Sequence, residues 1–242
     1  MPAHDIIDNR NEKLVHHINR ILSSTESARF AVGYFFLSGL TAIAEELNGV
    51  KELRLLIGNT TNRETLEQLA EGYRRLELVA ETVDAERYPK RTETKRMATE
   101  TAENIRTSME LMDQTDDGEM LVKTLVRLIE DKKLKVKVYT KGRLHAKAYI
   151  FDYGKVFDES GKPVERHEKG IAVVGSSNLT LSGVTHNTEL NVIVQGNSNH
   201  TELVRWFDDL WDESQDFDET LMQEMRESWA YAFMRPYDIY MK

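Results

Sequence analysis

The chain has 242 residues, 40% hydrophobic and 30% charged, with a net charge of −9 and no cysteine. That is room for one large domain or a domain with an insert, and the missing cysteines exclude disulfides, thiolate nucleophiles and cysteine-bound zinc or iron–sulfur clusters. No apolar run approaches the roughly 20 residues of a membrane span, and Met1 to Lys13 lacks the basic-then-apolar pattern of a secretory signal, so a cytoplasmic protein with no membrane partner is expected.

Residues 9–23 read as a short amphipathic helix, and the β-branched and aromatic run Arg29–Phe36 as a buried strand. Ser38 is the expected cap of a following helix that reaches Asn48-Gly49. Glu52–Gly58 reads as another strand, followed by the turn-rich Gly58-Asn59-Thr60-Thr61 and a helix over 62–78. Alternating strands and helices predict a parallel sheet covered by helices. Residues 82–131 are polar, charged and helical in propensity, with a break expected at Asp116-Asp117-Gly118. Two helices are predicted there, the second with Leu121, Leu125, Leu128 and Ile129 as its apolar stripe. Such a helical insert would suit a lid, a dimer arm or a spacer, and the pattern does not choose. Strands return at Lys135–Thr140, His145–Asp152, Gly170–Gly175 and Thr188–Val194. Between the middle two, Tyr153–Lys169 reads as a loop or hairpin. Helices are predicted over Thr201–Asp212 and Glu219–Phe233. The ending, Arg235 to Lys242, reads like the start of a further segment, so a longer natural protein is expected. The whole of 1–242 is read as a single domain.

Charge is unevenly spread. From Lys132 to Lys147 there are seven basic residues and no acid, whereas acids concentrate in Asp208 to Glu219. The net charge argues against indiscriminate coating of nucleic acid. The local stripe is what a phosphate-backbone substrate needs, with Lys137, Lys141 and Arg143 as candidate substrate-binding residues. An edge strand guarded by lysines would look the same.

The chemistry gathers after that stripe. His145 and Lys147 are two apart, which on a strand sends both side chains to one face. Ser176 and Asn178 are likewise two apart, after Gly175, at the end of another apolar run. A neutral imidazole can attack phosphorus and form a phosphohistidine, and a second, protonated imidazole can serve the leaving oxygen. Lys147 suits the non-bridging phosphate oxygens, and Ser176 and Asn178 supply neutral hydrogen bonds. Glu189 is placed to accept from an imidazole N–H. Asp152, at the end of a strand, is expected to be a structural turn former, as is Gly175. Trp206 and Trp211 are expected in packing, and Tyr34, Tyr139 and Tyr149 in the core. No His-Glu-x-x-His and no phosphate-cradling glycine loop is present, so neither a metal nor another cofactor is expected.

His145-x-Lys147-x-x-x-x-Asp152 followed by Gly175-Ser176-x-Asn178 resembles the HKD motif of the phospholipase D superfamily, with Glu189 where its small nucleases carry an acidic partner. The stretch between Asp152 and Gly175 is longer than in the compact pattern. The segments Gly33–Phe36 and Leu56–Gly58 resemble the phospholipase-D-like module at the N-terminus of some prokaryotic Swi/Snf-type helicases. The resemblance implies a mixed β-sheet flanked by helices and an active site built from two His-x-Lys motifs. Because this chain has one such motif complete with its aspartate, the resemblance implies a homodimer in which His145 of one subunit is nucleophile and its symmetry mate general acid. The leading expectation is a metal-independent nuclease, acting on DNA rather than RNA, with a helicase motor in the same natural chain. A DNA-binding or dimerisation module with little turnover is the alternative, and a lipid phosphodiesterase ranks third.

Overall fold

The computed structural model describes residues 5–35, 37–58, 91–110, 115–164 and 166–231. Eight strands form one mixed sheet in the order β1-β9-β8-β5-β2-β3-β4-β10. They are β1 (Ile6–Ile7), β2 (Thr25–Val32), β3 (Glu52–Gly58), β4 (Leu134–Tyr139), β5 (Lys147–Tyr153), β8 (Gly170–Gly175), β9 (Asn191–Val194) and β10 (Gln215–Asp216). Strands β2, β3 and β4 are parallel, while β5, β8 and β9 add to them antiparallel. The strand–helix–strand order over 29–58 predicted parallel strands, and β2 and β3 are parallel neighbours. The links after β5 and β8 return the chain as antiparallel neighbours, so the sheet is mixed, as the family resemblance implied.

The helices are α1 (Leu14–Leu22), α2 (Leu37–Thr41), α3 (Ala44–Leu47), α4 (Arg91–Glu110), α5 (Asp116–Glu130), α6 (Leu181–Thr185), α7 (Asn197–Asp212) and α8 (Asp218–Glu227). One face of the sheet carries Phe30, Val32, Leu55, Ile57, Val136, Val138, Tyr149, Phe151 and Val173, which join residues of α1, α4, α5 and α8 in the main core. Phe30 lies edge-on to both Tyr149 and Phe151, at 5.1 and 5.5 Å between ring centroids, and each such pair adds about 0.5–1.5 kcal/mol beyond burial. The opposite face is covered by α7, whose Phe207 and Trp211 pack on Ala31, Leu56, Ile150 and Ala172. Trp206 packs beside them, so both tryptophans of α7 serve packing.

The two helices expected within 82–131 are present as α4 and α5, with Leu121, Leu125, Leu128 and Ile129 buried, and two smaller expectations are corrected. Helix α5 buries Leu121, Val122, Leu125 and Val126 in the main core and packs on β4, so it is the connection between parallel β3 and β4. Asp116-Asp117-Gly118 is the first turn of α5, where Thr115 Oγ1 accepts from the Gly118 N–H at 3.1 Å, so an N-cap stands where a break was expected. Ser38 falls inside α2 rather than before it. The helix expected over 62–78 lies outside the described residues.

Residues 154–164 project from the sheet as a hairpin of β6 (Val156–Phe157) and β7 (Pro163–Val164). Its turn is organised by Asp158, which accepts from the backbone N–H groups of Ser160 and Lys162, both at 2.9 Å, and it closes through Gly161 at φ +77°.

Candidate active site

The candidate residues converge where β2 and β8 end and β5 and β9 begin. Register fixes this: Val32 stands opposite Lys147, Ala148 opposite Val174, and Gly175 opposite Asn191. In mixed and parallel sheets the loops beyond strand ends are where a cleft forms. Gly33 leaves β2 so close to this point that an added Cβ would stand 3.0 Å from Leu144 O and 3.7 Å from His145 Cα.

Lys147 opens β5 on the main-core face and is 5% exposed, while His145 precedes the strand and is exposed. The Lys147 ammonium reaches back to the histidine. Its Nζ donates to His145 O at 2.9 Å and lies 3.2 Å from each ring nitrogen. An ammonium equidistant from both nitrogens sits against the imidazole, which fixes a positive charge beside the ring. Burial lowers the pKa of Lys147 below its ordinary 10.5. The Glu189 carboxylate works against that, and the Arg143 charge works with it.

Ser176 and Asn178 flank the buried Ser177 on the turn after β8. The Ser176 hydroxyl donates to the Glu189 carboxylate and accepts from the Leu190 N–H at 3.0 Å. Glu189, the candidate acceptor for an imidazole N–H, takes the Ser176 hydroxyl on its carboxylate. The Asn178 Oδ1 accepts from the Tyr34 backbone N–H at 3.0 Å, which orients the amide and leaves Nδ2 as its donor. Gly175 is required by contact: a Cβ there would sit 2.4 Å from both Asn191 Oδ1 and Leu190 O.

Two residues assigned from sequence lie elsewhere. Lys137 alternates with the core residues Val136 and Val138, so it faces α7, on the opposite side of the sheet from Lys147. There its Nζ lies 5.1 Å from the Trp211 ring centroid and 3.4 Å from Asp216. Lys141 pairs with Glu213 at 3.3 Å, and Lys135 with Glu52 at 2.7 Å. Three lysines of the basic stripe thus face acids on or beside α7 and on β3, while Arg143 stays at the site, its Nη2 3.4 Å from Tyr34 Oη. Asp152 is near the far end of β5, five residues and roughly 17 Å along the strand from Lys147. It is no turn former. It accepts from Ser27 Oγ at 2.7 Å and from Arg29, with His200 Nε2 3.2 Å away. Burial raises its pKa, but the hydrogen bonds of His200 and Ser27 and the Arg29 charge outweigh that and leave it lowered.

Three residues of the site escaped the sequence reading. Asn191 and Ser177 are fully buried behind the Ser176–Asn178 turn, and Tyr34, expected in the core, is half-buried at the rim. A lone asparagine opening the apolar run Asn191–Val194 was the available signal. Among the described residues, no group of three or more histidine or acidic side chains is placed to hold a metal ion, and no helix is long and apolar enough to cross a membrane.

A mixed sheet with His-x-Lys opening one strand and Gly-Ser-x-Asn closing its neighbour defines a phospholipase-D-like phosphodiesterase fold. The family model described as "Cardiolipin synthase, PLD-like domain" matches residues 17–211, and the chain belongs to that family. Its members are phosphodiesterases or related hydrolases and synthases. Among solved structures it is similar to the phospholipase D family member Nuc from Salmonella typhimurium, at 12% identity and TM-score 0.41 over 83% of this chain and 88% of that one. It is also similar to NucT from Helicobacter pylori, at 12% identity and TM-score 0.42 over 88% of this chain and 97% of that one. Phosphatidylserine synthase from Haemophilus influenzae is similar at 11% identity and TM-score 0.47, over 88% of this chain and 38% of that one. No curated protein matches.

Proposed function

We propose that this protein is a metal-independent nuclease that cleaves phosphodiester bonds of DNA through a phosphohistidine, at a site shared by two copies of the chain. The observation that carries the reading is the contact between Lys147 and His145, a buried cation fixed beside an exposed imidazole at an open sheet end. In this reaction an imidazole nitrogen of His145 attacks phosphorus. The P–N bond forms as the bond to the leaving oxygen breaks, and the imidazolium of the other subunit's His145 gives that oxygen its proton. Water then attacks the phosphohistidine, loses a proton to the same, now neutral, imidazole, and frees His145. Lys147 and the Asn178 amide hold the non-bridging oxygens, where charge builds up. Ser176, locked by Glu189 and the Leu190 N–H, keeps the turn in place.

The chain carries a single His-x-Lys-x-x-x-x-Asp, since His167-x-Lys169 has Val174 where the aspartate would stand, and an apolar patch adjoins the site. Ile6 and Val192, paired in register, are 60% and 43% exposed, and Leu190, next to Glu189, is 59% exposed. A second copy seated there would cover the patch and bring its own His145 to the site. The sequence resemblance to helicase-associated modules adds a helicase motor in the same natural chain as the proposed partner, with the whole of 1–242 as one domain.

The test is cleavage of single- and double-stranded DNA and of RNA in EDTA, wild type beside His145→Ala, with the molecular mass followed by sedimentation. Cleavage by wild type alone, from a dimer, is expected. Full activity in His145→Ala overturns the catalytic assignment, and an active monomer overturns the shared site.

A further inference from the structure

We propose that Tyr34 is a positioning residue that holds Arg143 at the mouth of the site, as a second cation for the phosphate next to the one being cleaved. This rests on the nuclease reading and adds to it a preference for a strand with neighbouring phosphates over an isolated phosphodiester.

The two cations near His145 sit at different depths. Lys147 is buried, with its ammonium turned to the imidazole, so it serves a phosphate placed at His145. Arg143 is exposed, two residues before His145, and close enough for its charge to act on Lys147. A single phosphodiester carries one negative charge, which Lys147 meets. The charge of Arg143 fits the next phosphate along a strand, and its planar fork can grip two phosphate oxygens. Lys135 and Lys137 point to the other face of the sheet, beside Glu52 and Asp216, and so lie away from this role.

Tyr34 ties Arg143 to the reacting groups. Its phenol oxygen accepts from Arg143 Nη2 at 3.4 Å, and its own backbone N–H holds Asn178 Oδ1 at 3.0 Å. One residue therefore touches both the neutral donor and the outer cation. Its backbone is fixed where Gly33 packs against Leu144 and His145, so its phenol is a rigid post for a long, flexible side chain. An arginine that is already oriented loses less rotamer freedom when it binds.

The test uses binding of a short single-stranded oligonucleotide across a salt series, together with kcat and KM on that oligonucleotide and on bis(p-nitrophenyl) phosphate. Tyr34→Phe removes only the hydroxyl and keeps the ring. It is expected to weaken oligonucleotide binding about three- to fivefold, raising KM with little change in kcat. Arg143→Ala is expected to weaken it about tenfold and to flatten the dependence of log K on log salt by about 0.7. In the Arg143→Ala background, Tyr34→Phe is expected to add nothing, because its effect passes through the guanidinium. Both variants are expected to lose at least threefold more on the oligonucleotide than on the small diester. Additive losses, equal losses on the two substrates, or wild-type binding by both variants would overturn the proposal while leaving a cleaving wild type, and so the nuclease reading, intact. Binding that follows this pattern in a wild type that cleaves nothing would overturn the nuclease reading and keep the role of Tyr34.

Discussion

Asn191 and Ser177 exchange hydrogen bonds in both directions: the Asn191 Nδ2 donates to Ser177 Oγ at 2.9 Å, and the Ser177 N–H donates to Asn191 Oδ1 at 3.4 Å. Both are fully buried, and Tyr149 adds a third tie by donating its phenol to Ser177 O at 2.8 Å. The turn that presents Ser176 and Asn178 is thus pinned from below by β9 and β5. Asn191→Ala strands two buried polar groups, and a loss of about 2–4 kcal/mol in urea unfolding is expected. Cleavage by the folded variant should fall at least about tenfold, since small misplacements of reacting groups are costly.

Asp152 belongs to stability rather than to chemistry. Asp152→Asn should cost about 1–3 kcal/mol at neutral pH, because it weakens the grip on Arg29 and His200, with kcat at the working temperature unaltered. The folded-state pKa lies below the ordinary 3.8, so the stabilisation by the carboxylate is complete above that value. It is lost as pH falls through the lower, folded-state value. Chemical unfolding of wild type and variant across pH should show a gap that is constant near neutrality and closes in acid. A lower kcat in a variant that is still fully folded would return Asp152 to the reaction.

Lys147 trades stability for function. Burial holds its folded-state pKa below 10.5, so the charged side chain opposes folding at neutral pH. That opposition fades as pH rises through the folded value towards 10.5, where the unfolded chain also gives up the proton. Lys147→Met should therefore unfold at higher temperature than wild type at pH 7, with the advantage shrinking in alkali. Its cleavage rate should drop about a hundredfold or more. A destabilised variant would mean that the hydrogen bonds to His145 outweigh the cost of burial.

Lys137 gives a contrasting prediction. It stacks over Trp211 and pairs with Asp216 on the α7 face, so Lys137→Ala should lower stability by about 0.5–1 kcal/mol. Oligonucleotide affinity should stay within about twofold of wild type and the salt slope should be unchanged. Loss of a full phosphate contact from the slope would restore Lys137 to the substrate path.

The site was legible in the sequence where chemistry depends on close spacing. His145, Lys147, Ser176 and Asn178 sit on two short segments, and the structure brings them to one end of the sheet. The strands β3, β4 and β8 were legible from apolar runs, because buried strands leave that mark whatever their neighbours. What the spacing hid was set by pairing across the sheet. Lys137 and Arg143 are six residues apart in one basic run, yet strand alternation sends one to α7 and the loop takes the other to the site. Asp152 shares a motif with Lys147, but a straight strand holds them apart. The role of α5 was hidden because an amphipathic helix reads the same whether it covers a sheet or extends from it.

The β6–β7 hairpin leaves the sheet at the end remote from His145, and its base is already closed: the Tyr153 N–H donates to Lys169 O at 2.9 Å, and Asp152 pairs with Gly170. Strands β5 and β8 therefore meet without it. The sixteen residues 154–169 form a natural grafting port, where a fluorescent reporter, an affinity handle or a second domain can be spliced between two strands with the cleft left open.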